Sequence, residues 1–291
     1  MTPEQFLYEL FGKPLSYEFM QRAFAAALLI GVVAGVIGCF IVIRGMAFLT
    51  DALSHAVLPG VAVAFVLGWP LALGAFVMGA ISAFIIGFLT RGSKIKEDTA
   101  IGIVFTSMFA LGIAIISAKQ RGTPELTHIL VGDILAVDAG QLIVIAISGA
   151  VILGLVLALY KELVLTNFDP GLARTLRLPG ETLRYLLLLM ITLTIVMALQ
   201  VIGVILIAAM LITPAAAASL LAKRLPTMML LAALIGALGG VIGVWLAWHL
   251  NAPASAMTVL TYSAAFMLAF LFAPERGLLR RAAPVPPPDA A

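Results

Sequence analysis

Residues 45–67 read GMAFLTDALSHAVLPGVAVAFVL, an apolar stretch that contains one carboxylate and one imidazole, Asp51 and His55. A helix of about 20 residues crosses the ~30 Å hydrocarbon core of a bilayer, so this stretch predicts a transmembrane helix. The two side chains are four residues apart, which places them on one face of that helix. A carboxylate at bilayer depth costs about 2.5–3.5 kcal/mol on insertion scales and therefore indicates a polar cavity, a partner or an ion.

Further apolar runs of similar length lie on both sides of this stretch. Of the 291 residues, 63% are hydrophobic and 11% are charged, whereas a soluble domain carries roughly a quarter charged residues. We predict an all-α, polytopic transmembrane bundle of about nine spans, at residues 20–43, 46–67, 70–90, 99–117, 141–160, 184–200, 203–222, 227–249 and 255–273. The gap between the sixth and seventh spans, around residues 201–203, is so short that merging the two would leave eight.

The distribution of basic residues orients the predicted spans. With the N-terminus outside, 13 of the 17 Lys and Arg residues fall on the cytoplasmic side. Cytoplasmic loops carry an excess of basic residues, so we expect an external N-terminus and a cytoplasmic C-terminus. The net charge of +3 therefore reflects topology, and the expected non-protein partners are membrane lipids, not nucleic acid.

Segments outside the spans divide the chain further. Residues 1–18 have a capping-box arrangement and several apolar side chains, which predict an amphipathic helix on the outer surface. Residues 124–137 are too short and too polar to cross, and they predict a re-entrant or packed segment near the outer side. The transmembrane domain, 19–275, contains a polar cytoplasmic insert at 166–180, and the Pro-rich residues 276–291 predict a disordered cytoplasmic tail.

Asp51 and His55 are the strongest candidates for a metal site. Imidazole and carboxylate together suit Mn²⁺, Zn²⁺ and Fe²⁺. Two ligands from one chain make a weak site, which suits transport because the ion must also leave, and a two-fold dimer would bring two of each together. The alternative is a buried Asp–His hydrogen bond that holds two helices. His128 and Asp133 are weaker candidates for guiding a cation inward, with loop anchoring as their alternative role.

The insert carries a short helix with apolar and basic side chains. Its candidate partner-binding residues are Asp169, Pro170, Leu172, Arg174, Leu176 and Arg177. Asp169 is suited to cap this helix and Pro170 to its first position. The insert therefore predicts docking of a soluble partner with an acidic and apolar groove, and the alternative is an ordinary loop held to the membrane surface by its arginines.

Small residues at a spacing of four predict close helix contacts. Gly31 and Gly35 form one such pair, and the eighth predicted span contains two more, beginning at Gly236 and Gly239. Glycine lets two helix backbones approach closely in a membrane. The spacing indicates tight packing and carries no information about a substrate.

Four stretches resemble the membrane permease of bacterial manganese, zinc and iron ABC importers. They are GMAFLTDALSHAVLPGVAVAF at 45–65, HILVGDILAV at 128–137, DPGLARTLRLPG at 169–180 and ALQVIGVILIAAMLITPAAAASLL at 198–221. The resemblance runs over about residues 20–275. It implies a helical permease that dimerises with itself or a paralogue, binds cytoplasmic ABC ATPase subunits and receives metal from an extracytoplasmic metal-binding protein. It also implies metal coordination by Asp51 and His55 and ATPase coupling by the helix at 169–178, with manganese as first cargo and zinc or iron after it.

The chain has no motif for catalysis. It contains no Walker A, H-E-x-x-H or G-x-S-x-G sequence, so we expect no enzyme activity, with ATP hydrolysis left to the partner subunits. No permanently bound cofactor is expected, because the metal ion is cargo. Two alternatives remain: a stand-alone proton-coupled secondary carrier or channel for divalent cations, with Asp51 and His55 as a proton relay, and an ABC permease for a metal chelate.

Overall fold

The computed structural model describes residues 12–91, 95–118, 132 and 134–273. All regular structure in this part of the chain is helical. The α-helices are α1 (Lys13–Leu15), α2 (Glu18–Arg44), α3 (Ala47–Ala56), α4 (Leu58–Leu67), α5 (Leu71–Thr90), α6 (Glu97–Ala118), α7 (Ala139–Ala158), α8 (Tyr160–Phe168), α9 (Pro170–Thr175), α10 (Gly180–Leu221), α11 (Leu225–Leu250) and α12 (Ala254–Phe272). A 3₁₀ turn, Ile134–Ala136, precedes α7.

Nine helical segments in these ranges are long and apolar enough to cross a membrane, which confirms the predicted number. The second span consists of α3 and α4, and α10 provides both the sixth and the seventh, Gly180–Leu199 and Val201–Leu221. Inside α10, Gly203 has φ 72° and ψ 168°, a conformation that glycine adopts without a steric penalty. The predicted break near residues 201–203 is therefore present, and the described part of the chain has nine candidate spans, not eight.

The second span is broken at its middle. Helix α3 ends at Ala56, and Pro59 lies in the first turn of α4, where its missing amide costs no helical hydrogen bond. Val57 connects the two helices: its amide donates to the Leu53 carbonyl at 3.2 Å, and its own carbonyl accepts from the Gly60 amide at 3.0 Å. Asp51 and His55 both lie on α3, before this break.

Helix α2 lies at the centre of the bundle and contacts α11 along its length. A Cβ atom on Gly31 would lie 2.5 Å from the carbonyl carbon of Gly236, and one on Gly35 would lie 2.6 Å from that of Ala232. Gly239 instead faces the ring of Tyr262 on α12. The small-residue spacing thus marks two different contacts. The pairs that begin at Gly31 and Gly236 bring α2 and α11 together, and the pair that begins at Gly239 makes room for α12.

Several helices end together beside the insert, and we call this region the insert end of the bundle. The Arg44 guanidinium at the end of α2 donates to the Asn167 side chain on α8. The Arg184 guanidinium on α10 donates to Thr90 at the end of α5 and to Glu97 at the start of α6, with 2.7 Å between its Nη2 and the Glu97 Oε1. The first contact joins the insert to the end of α2, and the other two join the ends of α5, α6 and α10.

The segments outside the spans were predicted less completely. Glu18 begins α2, so it does not belong to a surface helix, and residues 2–11 and 276–291 lie outside the described part of the chain. Within 124–137, Ile134 and Val137 are buried, and a Cβ atom on Gly132 would lie 2.7 Å from the Cα of Gly203. The described portion of this segment is therefore packed against the break between the sixth and seventh spans. A further helix that the sequence analysis did not predict, α8, runs from Tyr160 into the first residues of the insert.

Candidate functional site

Asp51 and His55 lie one turn apart on the same face of α3, as predicted. The distance from His55 Nε2 to Asp51 Oδ1 is 3.8 Å, and their side chains are 30% and 49% exposed. This separation exceeds hydrogen-bond range. The alternative of an Asp–His hydrogen bond that locks two helices is therefore wrong in this structure, since both groups belong to one helix and do not bond to each other.

The distance between the two groups suits a shared metal ion. Nitrogen and oxygen ligands lie at ~2.0–2.2 Å from such an ion, so two of them span ~3.4 Å at a tetrahedral angle and up to ~4.2 Å when opposite. The observed 3.8 Å falls inside this interval. Over the described ranges no group of three or more His, Cys, Asp and Glu side chains could hold a metal. Within the described residues, one chain therefore brings two potential ligand groups together here.

A sharp turn places α3 immediately after α2. Gly45 has a left-handed φ of 69°, the Met46 amide donates to the Ile41 carbonyl at 3.0 Å, and the Gly45 amide donates to the Val42 carbonyl at 3.1 Å. This arrangement is a Schellman motif, which ends a helix at a glycine. Because of it, Asp51 stands only one turn into α3, close in the chain to Arg44 at the insert end.

Aromatic rings from α6 flank the imidazole. The ring centroid of His55 lies 5.6 Å from that of Phe105 and 5.5 Å from that of Phe109. Among the described residues, His55 Nδ1 and Thr50 Oγ1 are buried without a hydrogen-bond partner. Sequence reasoning missed both phenylalanines, because the apolar run that contains them has no charged residue, and its few hydroxyl side chains do not single them out.

The insert has the local structure that its sequence predicts. Pro170 begins α9, and the Asp169 side chain caps the helix by accepting a hydrogen bond from the Leu172 amide at 2.9 Å. Leu172 and Leu176 are 45% and 57% exposed. Arg174 and Arg177 are exposed beside them. Phe168, which the sequence reading did not single out, adds a third exposed apolar side chain.

A polar cleft separates the insert from the spans. It has a volume of about 660 Å³, and its charged lining residues are Arg44, Glu97, Arg174, Glu181 and Arg184. The arginines outnumber the carboxylates, so the cleft does not favour a divalent cation. The sequence analysis used Arg44 and Arg184 for orientation only and assigned Arg174 to partner docking, and it predicted no side-chain partner for any of the three. The other two predicted site residues, His128 and Asp133, lie outside the described residues.

The comparisons with known proteins agree with this architecture. The profile of the ABC 3 transport family matches residues 16–273. The chain belongs to this family. The manganese transport system membrane protein MntC of Halalkalibacterium halodurans is similar, with 44% identity over 271 residues that cover 93% of each chain. The manganese import system permease protein ScaB of Streptococcus gordonii is 46% identical over 265 residues, which are 91% of this chain and 95% of that protein.

A solved structure supports the same membership. "PsaBC from Streptococcus pneumoniae in complex with Fab" contains a chain with 41% identity and a TM-score of 0.84, and the match covers 95% of this chain and all of that one. The resemblance inferred from the four sequence stretches is therefore confirmed at the level of the family. As a member of the ABC 3 transport family, this chain is a multi-pass membrane protein, and its relatives are transport permeases.

Proposed function

We propose that this chain is the permease subunit of an ATP-driven importer that moves divalent transition-metal ions into the bacterial cytoplasm. The observation that carries the proposal is the Asp51–His55 pair, two metal-ligand side chains 3.8 Å apart on a helix of a membrane span. Manganese is the first choice of cargo, because the two similar proteins, MntC and ScaB, are a manganese transport protein and a manganese import permease. Zinc and ferrous iron are the next choices, because the same ligand types suit them.

The exposure of Asp51 supports a second permease chain as partner. A carboxylate that is half-exposed within a membrane span would face lipid, which costs several kcal/mol at bilayer depth. A second copy or a paralogue that covers this face removes the carboxylate from lipid. A two-fold arrangement would also place two Asp51 and two His55 side chains around one pathway, which raises the number of ligands from two to four.

The insert supplies the contact with the ATPase subunits. Its exposed leucines and arginines form a mixed apolar and basic surface around Leu172 and Leu176. A cytoplasmic insert follows from an external N-terminus and a cytoplasmic C-terminus, the orientation that the basic residues favour. ATP-driven motion of α9 would then pass to Arg44 through Asn167, and from Arg44 across the Gly45 turn to α3. An extracytoplasmic metal-binding protein would deliver the ion at the opposite end.

Metal accumulation in cells tests the site. We expect Asp51→Asn and His55→Ala to reduce ATP-dependent Mn²⁺ uptake at least roughly 10-fold at normal expression, because each removes one of two ligands. Asp98→Asn, which neutralises a carboxylate in the first turn of α6, is the matched control and should leave uptake unchanged. Wild-type uptake by both site variants would contradict the metal site.

Reconstitution separates the importer from its alternatives. Vesicles that contain the permease with its ATPase partner, supplied with the metal-binding protein on the opposite side, should take up Mn²⁺ only when ATP is supplied to the ATPase side. Uptake by the permease alone under a proton gradient would instead indicate a secondary carrier. Uptake of a metal chelate that persists in Asp51→Asn and His55→Ala would indicate a chelate permease.

A further inference from the structure

One stripe of α6 faces the second span along the site. The stripe consists of Phe105, Phe109 and Gly112, which lie at the i, i+4 and i+7 positions of one helix face. A Cβ atom on Gly112 would meet the Leu58 Cβ and the Pro59 nitrogen at 3.2 Å each. The glycine therefore lets α6 approach the break in the second span, and this approach brings the two phenyl rings level with α3.

The two rings hold the imidazole from different directions. The His55 ring is inclined by 57° to Phe105 and by 82° to Phe109, so the second contact is edge to face. Aromatic pairs favour such arrangements at centroid distances of about 4.5–7 Å. Phe105 and Phe109 also stack on each other at 5.9 Å, and Phe48 meets Phe105 edge to face at 6.1 Å. The imidazole thus belongs to a continuous aromatic cluster.

The cluster takes the place of the usual hydrogen-bonded support of a metal-binding histidine. Such a histidine normally donates its second ring N–H to a carboxylate, a carbonyl or water, and loss of that partner lowers metal affinity about 10–100-fold. In the described part of the chain, His55 Nδ1 is buried without a partner, while Nε2 is directed to Asp51. The aromatic contacts therefore orient the ring in place of a hydrogen bond to its second nitrogen.

We propose that Phe105 and Phe109 are positioning residues that fix His55 with Nε2 as the ligand atom, in a site that holds the ion in place and releases it readily. This inference rests on the proposed function and extends it from the two ligands to α6. An ion that must leave on every transport cycle requires weak binding in a defined place. Aromatic packing provides both a defined place and weak binding, because it restricts the His55 imidazole without adding a hydrogen bond that would strengthen its bond to the metal.

Kinetics of Mn²⁺ uptake by the permease with its ATPase partner test the inference. We expect Phe105→Ala and Phe109→Ala to raise the KM for Mn²⁺ roughly 10-fold, as loss of a supporting group does at metal sites. The maximal rate per assembled complex should change much less. Phe266→Ala and Phe270→Ala provide the matched control, because these residues form a similar stacked pair on α12, with centroids 6.3 Å apart. The control variants should keep the wild-type KM.

Conservative variants separate positioning from general stability. Phe109→Tyr keeps the ring and should keep the wild-type KM, whereas Phe109→Leu keeps apolar volume without a ring and should raise it. These two variants also carry the test if the alanine variants fail to accumulate. Wild-type KM values for the leucine and alanine variants would overturn the inference.

Asp51→Asn and His55→Ala, measured in the same assay, show which idea has failed. If these two lose uptake while the phenylalanine variants retain the wild-type KM, the inference is overturned and the proposed metal site stands. If the Asp51 and His55 variants transport Mn²⁺ normally, the metal site itself is wrong and the inference is overturned with it.

Discussion

Replacing Gly31 by alanine should force α2 and α11 apart. The new Cβ would lie 2.5 Å from the carbonyl carbon of Gly236 and 2.9 Å from the amide nitrogen of Ala237. Non-bonded carbon atoms are in optimal contact at about 3.5–4.0 Å, so the helices must separate by roughly 1 Å. Both obstructing atoms belong to the backbone, and no flexible side chain can move aside. Overpacking of this kind costs about 1–3 kcal/mol.

Thermal unfolding of the purified permease in one detergent measures this cost. For a chain of this size, 1–3 kcal/mol corresponds to a fall in the midpoint of roughly 2–10 °C. Gly154→Ala in α7 is the matched control, because a Cβ there meets nothing within 4 Å. Its midpoint should stay level or rise, since alanine is favoured over glycine inside a helix by roughly 0.5–1 kcal/mol.

A double variant tests whether the close approach itself is the cause. Gly31→Ala and Gly236→Ala each obstruct the same contact, so the second substitution should cost less than the first once the helices have separated. The reasoning would be refuted by a Gly31→Ala midpoint equal to that of Gly154→Ala. Full additivity of the two substitutions would show that each acts through a different contact.

Two further predictions concern the insert end. Arg184→Gln removes the 2.7 Å ion pair with Glu97, and the loss of a charged hydrogen bond should lower the free energy of unfolding by about 1.5–3 kcal/mol. Adding Glu97→Gln should recover part of this loss in thermal unfolding, and a further equal loss would contradict the pairing. Asp169→Ala removes the cap on the Leu172 amide, which costs about 1 kcal/mol and should weaken ATPase binding roughly fivefold. Titration of the ATPase against purified permease measures this, and an unchanged affinity would show that the cap does not order the docking surface.

The sequence predicted the nine spans because a membrane helix satisfies its backbone hydrogen bonds locally. Each apolar run of about 20 residues therefore predicts a helix independently of the rest of the chain. The short break at Gly203 corresponds to a gap between two such runs. The face shared by Asp51 and His55 and the cap formed by Asp169 were predictable for the same reason. In each case the interacting groups lie within four residues of each other, where helix geometry fixes their relation.

The tertiary structure decided which faces meet. Phe105 and Phe109 lie about 50 residues from His55 in the chain, and residues 100–116 of α6 are apolar except for Thr106 and Ser107, so no periodicity marked the face that contacts the imidazole. The pairing of Arg44 with Asn167 likewise joins residues 123 positions apart. Hydrophobic patterning places helices in the membrane but does not specify their partners, because lipid and neighbouring helices are equally apolar. Close packing of particular side chains determines which helix faces meet, and it places the aromatic cluster beside His55, the candidate metal ligand.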